Sequence, residues 1–368
     1  MKRFCATDVR MRSNLGNTSE TSFRKNTAQV LNLGGDSYKL GNFIENSKLY
    51  DSRSQSTFFR QTFTVKGTLG KGSFGEVFSV TSKEDNLDYA LKRSLCCLRS
   101  EQDQKEAHEE VKKMQSIPHH ANILRIHRAW EQKGKIYMQL DLCEKSLDDI
   151  AVIGQKVSDD DIWRYFADIL LGVHHLHSNG FIHMDIKASN ILIDSYGICK
   201  LADFGLMIDT KYQKHKSFHG EGDSRYLAPE ILNEDPTYAA DIFSFGMTML
   251  ELATDLDLPT HGDGWNILRT GQFPERFKSE VSKDLAFVIL QMIQPDKFER
   301  PSSADLLRNK LLKDRVGRRQ SDHFYYNTLQ FFKKFIPSFL TFESKTSQIY
   351  QNARATWSLY ESKGIIIQ

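Results

Sequence analysis

The chain has 368 residues, enough for one large two-lobed domain with tails, and its 49 basic and 47 acidic side chains leave a net charge of +2. That balance argues against nonspecific nucleic-acid binding as the main activity, so no nucleic-acid partner is expected. Five cysteines without a CxxC pair make a poor disulfide framework, and with neither a signal-peptide core nor an apolar run of about 18 residues the sequence predicts a cytoplasmic or nuclear protein that is not secreted.

The N-terminal segment, residues 1–57, is rich in Ser, Asn, Thr and Gly and has few clustered apolar positions. Segments of this composition bury too little apolar surface to offset the entropy lost on ordering. The sequence therefore predicts a disordered arm over residues 1–57, a folded region over residues 58–313 and a C-terminal tail over residues 314–368.

The folded region begins with strand-forming runs, FTVKGTLG and GEVFSVTS, joined by glycines in a pattern typical of a hairpin. DYALKRS and KIYMQLDL predict further strands, and the charged run EQDQKEAHEEVKKMQSI between them predicts a helix that ends before Pro118. After Ser158 long helical patterns dominate, and the first of them has a serine cap, an acidic first turn and a terminal glycine. A β-rich half followed by a helical half predicts an α+β fold of two lobes with a cleft between them.

Gly70, Gly72 and Gly75 follow the spacing G-x-G-x-x-G-x-V within LGKGSFGEV. Glycines at this spacing let the backbone approach phosphates and present its N–H groups to them. The spacing alone also suits ordinary turns, but the flanking strands fit a kinase-type hairpin better than a strand-to-helix dinucleotide site.

Lys92, in YALKR, lies fifteen residues after the V that closes this pattern, a spacing that suits an ammonium group on the α and β phosphates of a nucleotide. The alternative is a lysine on an ordinary exposed strand face. A phosphate-binding lysine needs a carboxylate to hold it, and the following helix offers Glu106, Glu109 and Glu110. We prefer Glu110 because Met114 lies one turn later on the same face and could pack into the cleft core.

The run HMDIKASN places Asp185 and Asn190 at the spacing H-x-D-x-x-x-x-N. Asp185 would orient a substrate hydroxyl and accept its proton, and Lys187 would neutralise charge on the transferred phosphoryl group. Asn190 offers an amide oxygen to Mg²⁺, and Asp203 in ADFGL would hold the metal between the phosphates. The predicted catalytic residues are Asp185, Lys187, Lys92 and Glu110, and the predicted metal ligands are Asn190 and Asp203.

The motif APE follows at residues 228–230 and DIFSFG at residues 241–246, while Arg300 is the expected buried partner of Glu230. Because these motifs occur in order and at suitable spacing, residues 58–313 resemble the eukaryotic protein kinase fold, which implies ATP and Mg²⁺ as cofactors. The resemblance implies a nucleotide pocket formed by Leu69, Gly70, Lys71, Gly72, Ser73, Phe74, Gly75, Glu76, Val77, Ala90, Lys92, Leu140, Asp141, Cys143 and Leu192.

Three features resemble the Wee kinase family. Met184 replaces the Arg of H-R-D, EGDSRYLAPE ends the activation segment, and HSNGFIHMDIKASNILI surrounds the catalytic loop. The runs RSQSTFFRQTF, EVFSVTSKEDNLDYALKRS, RAWEQKGKIYMQLDLCEKSLDD and DLPTHGDGWNILRTGQFPERF look like its membrane-associated, tyrosine- and threonine-specific branch. The resemblance implies phosphorylation of a Thr-Tyr pair in the glycine loop of a cyclin-dependent kinase, bound to its cyclin, and hence inhibition of mitotic or meiotic entry.

Two departures from that branch stand out. Leu140 lies where the branch usually has a smaller polar residue, which predicts a narrower and more apolar back pocket. The tail run LQFFKKFIPSFLTF is too short to span a membrane. Its apolar stripe could lie in a membrane interface beside Lys333 and Lys334, giving peripheral contact with internal membranes, although we prefer a helix docked on the kinase domain.

Two other functions stay open at this point. A pseudokinase scaffold is disfavoured because Lys92, Asp185, Asn190 and Asp203 are all present. An ordinary serine/threonine kinase with another substrate is compatible with DIKASN, whose lysine is typical of the serine/threonine-type catalytic loop.

The activation segment carries its own acidic residues. A phosphate on this segment often pairs with the Arg of H-R-D, but Met184 cannot form that pair. We therefore expect Glu221 and Asp223 to supply built-in negative charge, to either Arg225 or Lys187, and to order the segment without modification.

Overall fold

A computed structural model of the chain has two lobes, which follow one another along the first part of the sequence. It describes residues 27–32, 42–72, 75–94, 101–151, 157–211, 222–254, 256–271 and 281–335, with side chains throughout these ranges except at 101–104 and 324–335. A first compact unit ends at Leu306 and a second begins at Leu307. The predicted α+β architecture, with a β-rich lobe followed by a helical lobe, is confirmed.

The first lobe is a six-stranded antiparallel sheet in the order β1-β5-β6-β4-β3-β2. Helix α1 leads directly into β2, and Thr57 caps it by accepting a hydrogen bond from the Arg60 backbone N–H. Helix α2 lies between β4 and β5 in the chain and carries the candidate carboxylates. The bounds are β1 Gln29–Val30, α1 Phe58–Thr62, β2 Phe63–Lys71, β3 Gly75–Ser82, β4 Asp88–Ser94, α2 Glu101–Ser116, β5 Ile126–Gln132 and β6 Lys135–Leu140.

An aromatic cluster joins the N-terminal segment to this sheet. Ala28 and Ile44 are buried in one core with Trp130 and Tyr137, whose rings stack 5.1 Å apart. The Ala28 N–H donates to the Tyr50 hydroxyl over 3.2 Å, and β1 extends the sheet along β5. The prediction of a disordered arm is therefore wrong for residues 27–32 and 42–57. A few scattered apolar side chains order this segment because distant strands supply the aromatic surface that buries them.

The second lobe is mainly helical. Helix α4 begins as predicted, with the Ser158 hydroxyl accepting from the Asp161 N–H over 3.1 Å, and α5 is buried along most of its length. Short strands form two small sheets, in the order β10-β9-β7 and β11-β8. The bounds are β7 Lys145–Ser146, α3 Leu147–Ala151, α4 Asp159–Ser178, β8 Phe181–Ile182, β9 Ile191–Ile193, β10 Cys199–Leu201, β11 Ile208–Asp209, α5 Tyr238–Thr254, α6 Gly262–Arg269, α7 Lys283–Met292 and α8 Ser303–Arg308, with 3₁₀ turns at Ala188–Asn190 and Pro229–Leu232.

The second compact unit contains helix α9, Lys310–Phe335. The apolar stripe predicted at residues 331–340 lies outside the residues whose side chains are described. In the described part of the chain, no helix is both long enough and apolar enough to cross a membrane.

Candidate active site

The turn between β2 and β3 carries the three spaced glycines. The Gly72 N–H donates to the Gly75 carbonyl over 2.9 Å, which closes the turn. A Cβ at Gly75 would lie 2.6 Å from the Arg93 carbonyl oxygen, so strand packing requires glycine there. Among the described residues, a Cβ at Gly70 or Gly72 would meet no atom within 4 Å apart from its chain neighbours. Packing among the described residues therefore does not require these two glycines, and the predicted approach of a phosphate to the loop is compatible with the open space there.

Other predicted residues of this loop have separate placements. Ser73 and Phe74 lie outside the described residues. The Glu76 carboxylate pairs with Arg93 and lies 3.1 Å from Lys71, and hydrogen bonds from Arg93 and Lys71 hold its pKa below the ordinary value. Its side chain therefore braces the hairpin.

Strand β4 sets Lys92 beside the loop, in register with Val77 of β3 and Met138 of β6. The Lys92 Nζ donates to the Glu110 carboxylate of α2, and both side chains are only 22% exposed. Glu109 instead lies 3.5 Å from the Lys112 ammonium group. Lys92 thus pairs with the carboxylate that we preferred among the three candidates.

The catalytic-loop candidates gather around the Asp185 carboxylate. Lys187 Nζ lies 3.0 and 2.8 Å from its two oxygens, and Asn190 Nδ2 donates to Oδ2 over 2.7 Å. Because Nδ2 is engaged, the Asn190 Oδ1 is the side-chain atom left to bind a metal ion.

The backbone before Asp185 is held from helix α5. The carboxylate of Asp241, which is 1% exposed, accepts from the N–H groups of His183 and Met184 over 2.7 and 2.9 Å. Met184 has a φ of +69°, a left-handed conformation that a non-glycine residue rarely adopts. Its side chain is buried, so Met184 contributes to the core where kinases with H-R-D have a charged arginine. Sequence reasoning noted DIFSFG but missed this role of its first residue.

His183 links the catalytic loop to the ADFGL segment. Burial holds its pKa below the ordinary value, so the ring is neutral. Its Nδ1 accepts from the Asp185 N–H over 3.2 Å, which leaves Nε2–H to donate to the Ala202 carbonyl over 3.1 Å. The tautomer is thus set by the two loops that carry the predicted catalytic and metal-binding aspartates.

Asp203 also adopts a left-handed conformation, with φ +62°, and its side chain is exposed. Phe204 beside it is fully buried against His183, and Lys113 of α2 donates to the Gly205 carbonyl. Among the described residues no group of three His, Cys, Asp or Glu side chains could hold a metal ion alone. Two oxygen donors, from Asn190 and Asp203, suit Mg²⁺, which usually binds one or two side chains together with substrate phosphates.

The connection between the lobes places the remaining predicted pocket residues. Leu140 is buried at the end of β6, in register with Ala90 of β4. The Asp141 carboxylate accepts from His127 Nε2 over 2.8 Å and from Lys200 Nζ over 3.2 Å. Burial would raise the pKa of Asp141, but these partners hold it well below its usual range.

Asp141 has few polar atoms left to bind a nucleotide, because its carboxylate already pairs with His127 and Lys200. Its N–H donates to the Arg125 carbonyl over 3.1 Å, so only its own carbonyl oxygen is left for such a contact. Burial raises the pKa of the nearby Cys143 thiol to about 12, which keeps it protonated at neutral pH. Leu69, Val77 and Leu192 lie in β2, β3 and β9, respectively.

After residues 212–221, which lie outside the described ranges, the activation segment continues at Gly222, where a Cβ would lie 3.1 Å from the Met184 carbonyl oxygen. Arg225 donates to both Asp223 oxygens, from Nε over 3.0 Å and from Nη2 over 2.7 Å. Burial would raise the pKa of Asp223, but these hydrogen bonds bring it below its ordinary value. Of the two cations that we considered, Arg225 is therefore the partner of Asp223, and Glu221 lies outside the described residues.

Asp223→Asn should lower the rate of protein phosphorylation about tenfold, since it removes one charge-assisted, bidentate pair within the segment. Phosphatase-treated wild-type protein should already be active. Initial rates with a protein acceptor measure both effects, and Asp257→Asn, at an exposed aspartate, is the matched control. A wild-type enzyme that needs a phosphate on this segment would contradict the built-in charge.

The end of the segment is anchored as the sequence predicted. Arg300 donates to both oxygens of Glu230, over 2.6 and 2.8 Å, and both residues are buried. This confirms the expected ion pair between the APE motif and the ERPSSADLL run.

Comparisons with known proteins fit this geometry. A family model described as "Protein kinase domain" matches residues 63–312. The chain is 44% identical over 271 residues to the membrane-associated tyrosine- and threonine-specific cdc2-inhibitory kinase wee-1.3 of Caenorhabditis briggsae, which covers 74% of this chain and 41% of that protein. It is also 44% identical over 265 residues to the cdc2-inhibitory kinase of that description from Drosophila melanogaster, over 72% of this chain and 49% of that one. A probable protein kinase of Dictyostelium discoideum is 35% identical, over 72% of this chain and 76% of its own length. The chain therefore spans less than half the length of the two cdc2-inhibitory relatives.

Proposed function

The chain belongs to the protein kinase family, and from that premise we propose that it phosphorylates the Thr-Tyr pair in the glycine loop of a cyclin-dependent kinase. This modification would inhibit the target and delay mitotic or meiotic entry. The observation that carries the proposal is the complete set of candidate catalytic groups, centred on Asp185 with Lys187 and Asn190. The substrate class rests on the cdc2-inhibitory relatives. The target's cyclin, and peripheral contact with internal membranes through the tail, are finer parts of the same proposal.

The chemistry assigns one task to each group. Asp185 would orient the acceptor hydroxyl and take its proton as the hydroxyl oxygen bonds to the γ-phosphorus. The bond from that phosphorus to the β–γ bridging oxygen would break in the same step, and ADP would leave. Lys187, whose Nζ lies within 3.0 Å of both Asp185 oxygens, would stabilise charge on the transferred phosphoryl group. Lys92, held by Glu110, would bind the nucleotide phosphates.

A kinase domain uses ATP with a divalent metal in general. Asn190 Oδ1 and the exposed Asp203 carboxylate would hold Mg²⁺, which when bound would neutralise charge on the phosphates. The left-handed backbone conformation at Asp203 and the buried ring of Phe204 set the direction in which the Asp203 side chain leaves the backbone.

The test is phosphosite mapping on a cyclin-dependent kinase–cyclin complex incubated with the full chain, ATP and Mg²⁺. We expect phosphate on the threonine, the tyrosine or both in the target's glycine loop. The matched controls are a target with Ala-Phe in place of Thr-Tyr, and the Asp185→Asn chain. Phosphate only on serines, or only outside that loop, would favour an ordinary serine/threonine kinase with another substrate.

A further inference from the structure

Residues 224–227, which connect Asp223 to the APE turn, have every backbone carbonyl bound by a side chain. The Ser224 carbonyl accepts from Trp265 Nε1 and Arg269 Nη2, both over 2.8 Å. Arg269 also donates to the carbonyls of Arg225 over 3.0 Å and Leu227 over 2.9 Å. The remaining carbonyl, of Tyr226, accepts from the Ser244 hydroxyl over 2.9 Å.

Arg269 binds three of these four carbonyls although it is a charged residue buried from solvent. It is 5% exposed and stacks over the Trp265 ring, with its Cζ 3.8 Å from the ring centroid. Its hydrogen bonds within the described part of the chain all go to backbone carbonyls, of residues 224, 225, 227 and 265. Burial lowers its pKa to about 10, which still leaves the guanidinium charged at neutral pH. A buried guanidinium that binds three carbonyls of one short segment fixes the backbone conformation of that segment.

The segment lies beside the catalytic loop. Helix α5 contacts both, because Ser244 holds the Tyr226 carbonyl while Asp241 holds the backbone of Met184. Gly222, just before the segment, abuts the Met184 carbonyl. Residues 224–227 are therefore neighbours of the loop that carries Asp185, the predicted proton acceptor.

We propose that Arg269 and Trp265 are positioning residues for the protein substrate, which hold residues 224–227 in the shape that receives the acceptor chain. The hydrogen bonds from helix α6 would order this segment without modification, whereas phosphorylation orders the activation loop in other kinases. The proposal rests on the kinase activity proposed above but not on the identity of the acceptor.

The experiment compares Arg269→Gln and Trp265→Phe with Ile267→Ala, an exposed residue of the same helix, as the control. For each full-length variant, KM and kcat are measured for a protein acceptor and for ATP, together with ATP hydrolysis without acceptor. Arg269→Gln should raise the acceptor KM by about tenfold or more, as expected for loss of one or more charge-assisted hydrogen bonds. Trp265→Phe, which loses one neutral hydrogen bond, should raise it about threefold. KM for ATP and acceptor-free hydrolysis should stay unchanged in both.

Two outcomes overturn the proposal: an unchanged acceptor KM, or a parallel loss of ATP hydrolysis, which means that Arg269 only supports the fold. If Arg269→Gln does not fold, Trp265→Phe decides alone, since it keeps an aromatic ring next to an unchanged guanidinium. Each variant is tested on a cyclin-dependent kinase and on casein. A wild-type enzyme that modifies only casein would refute the substrate assignment, and the effect of Arg269 would still be read on casein.

Discussion

Asp185→Asn should reduce phosphoryl transfer to a protein acceptor by about a thousandfold, within the range measured for removing a general base. Each tenfold loss corresponds to about 1.4 kcal/mol of barrier, so the expected cost is about 4 kcal/mol. The amide is nearly the same size as the carboxylate, and its oxygen can still accept from Lys187 or Asn190, so the loop should keep its shape. Single-turnover rates with acceptor measure the loss, and the affinity for a fluorescent nucleotide should be nearly unchanged.

The control for this substitution is Asp160→Asn, at an exposed aspartate in the first turn of α4. It should match the wild-type protein in rate and in nucleotide affinity. Asp185→Asn protein that retains a tenth or more of the wild-type rate would remove Asp185 from the role of proton acceptor. A wild-type protein that binds nucleotide but transfers no phosphate to any acceptor would instead favour the pseudokinase scaffold.

Local spacing explains how much of the site could be predicted. Asp185, Lys187 and Asn190 lie within six residues of one another, and the structure brings them around one carboxylate. Glu110 could be preferred over Glu109 because one helical face also had to carry Met114, which is buried. Patterns of this kind are visible in sequence because the chain itself holds the residues close.

What sequence reasoning missed depends on contacts between distant segments. The N-terminal residues 27–32 are ordered by Trp130 and Tyr137, about a hundred positions later. Likewise, Arg269 contacts the carbonyl of Ser224, 45 positions earlier. Neither the composition of the arm nor the polar ends of α6 indicate these partners, because burial is a property of the assembled surface.

Met184, which stands in place of the arginine of H-R-D, illustrates what the sequence can predict and what it cannot. The sequence reveals that an arginine is absent and that a phosphate would lack its partner. The structure adds that Met184 is buried in a left-handed conformation held by Asp241, and that Asp223 has its own cation in Arg225. Residues 223–227 are therefore held by the Asp223–Arg225 pair and by side chains of helices α5 and α6, not by an arginine of the catalytic loop.

Glu110→Gln should lower kcat/KM for ATP by about tenfold to a hundredfold, the effect of 1.4 to 2.8 kcal/mol lost when a partly buried, charge-assisted contact is broken. Lys92 and Glu110 are each 22% exposed, so solvent screens their pair only in part. The neutral amide cannot hold the Lys92 ammonium group as firmly, and the loss should increase KM as well as reduce kcat. Steady-state rates at varied ATP concentration measure it.

Glu109→Gln is the matched control, because it removes the same charge one position earlier on the same helix, where the side chain is 57% exposed near Lys112. Its kcat/KM should stay within about twofold of the wild-type value, as is usual for surface ion pairs. Lys92→Met should cost more than Glu110→Gln, and the double variant should be no worse than Lys92→Met alone, because the carboxylate acts through the lysine. Equal losses at Glu109 and Glu110, or additive losses at Lys92 and Glu110, would show that the carboxylate serves the helix rather than the nucleotide site.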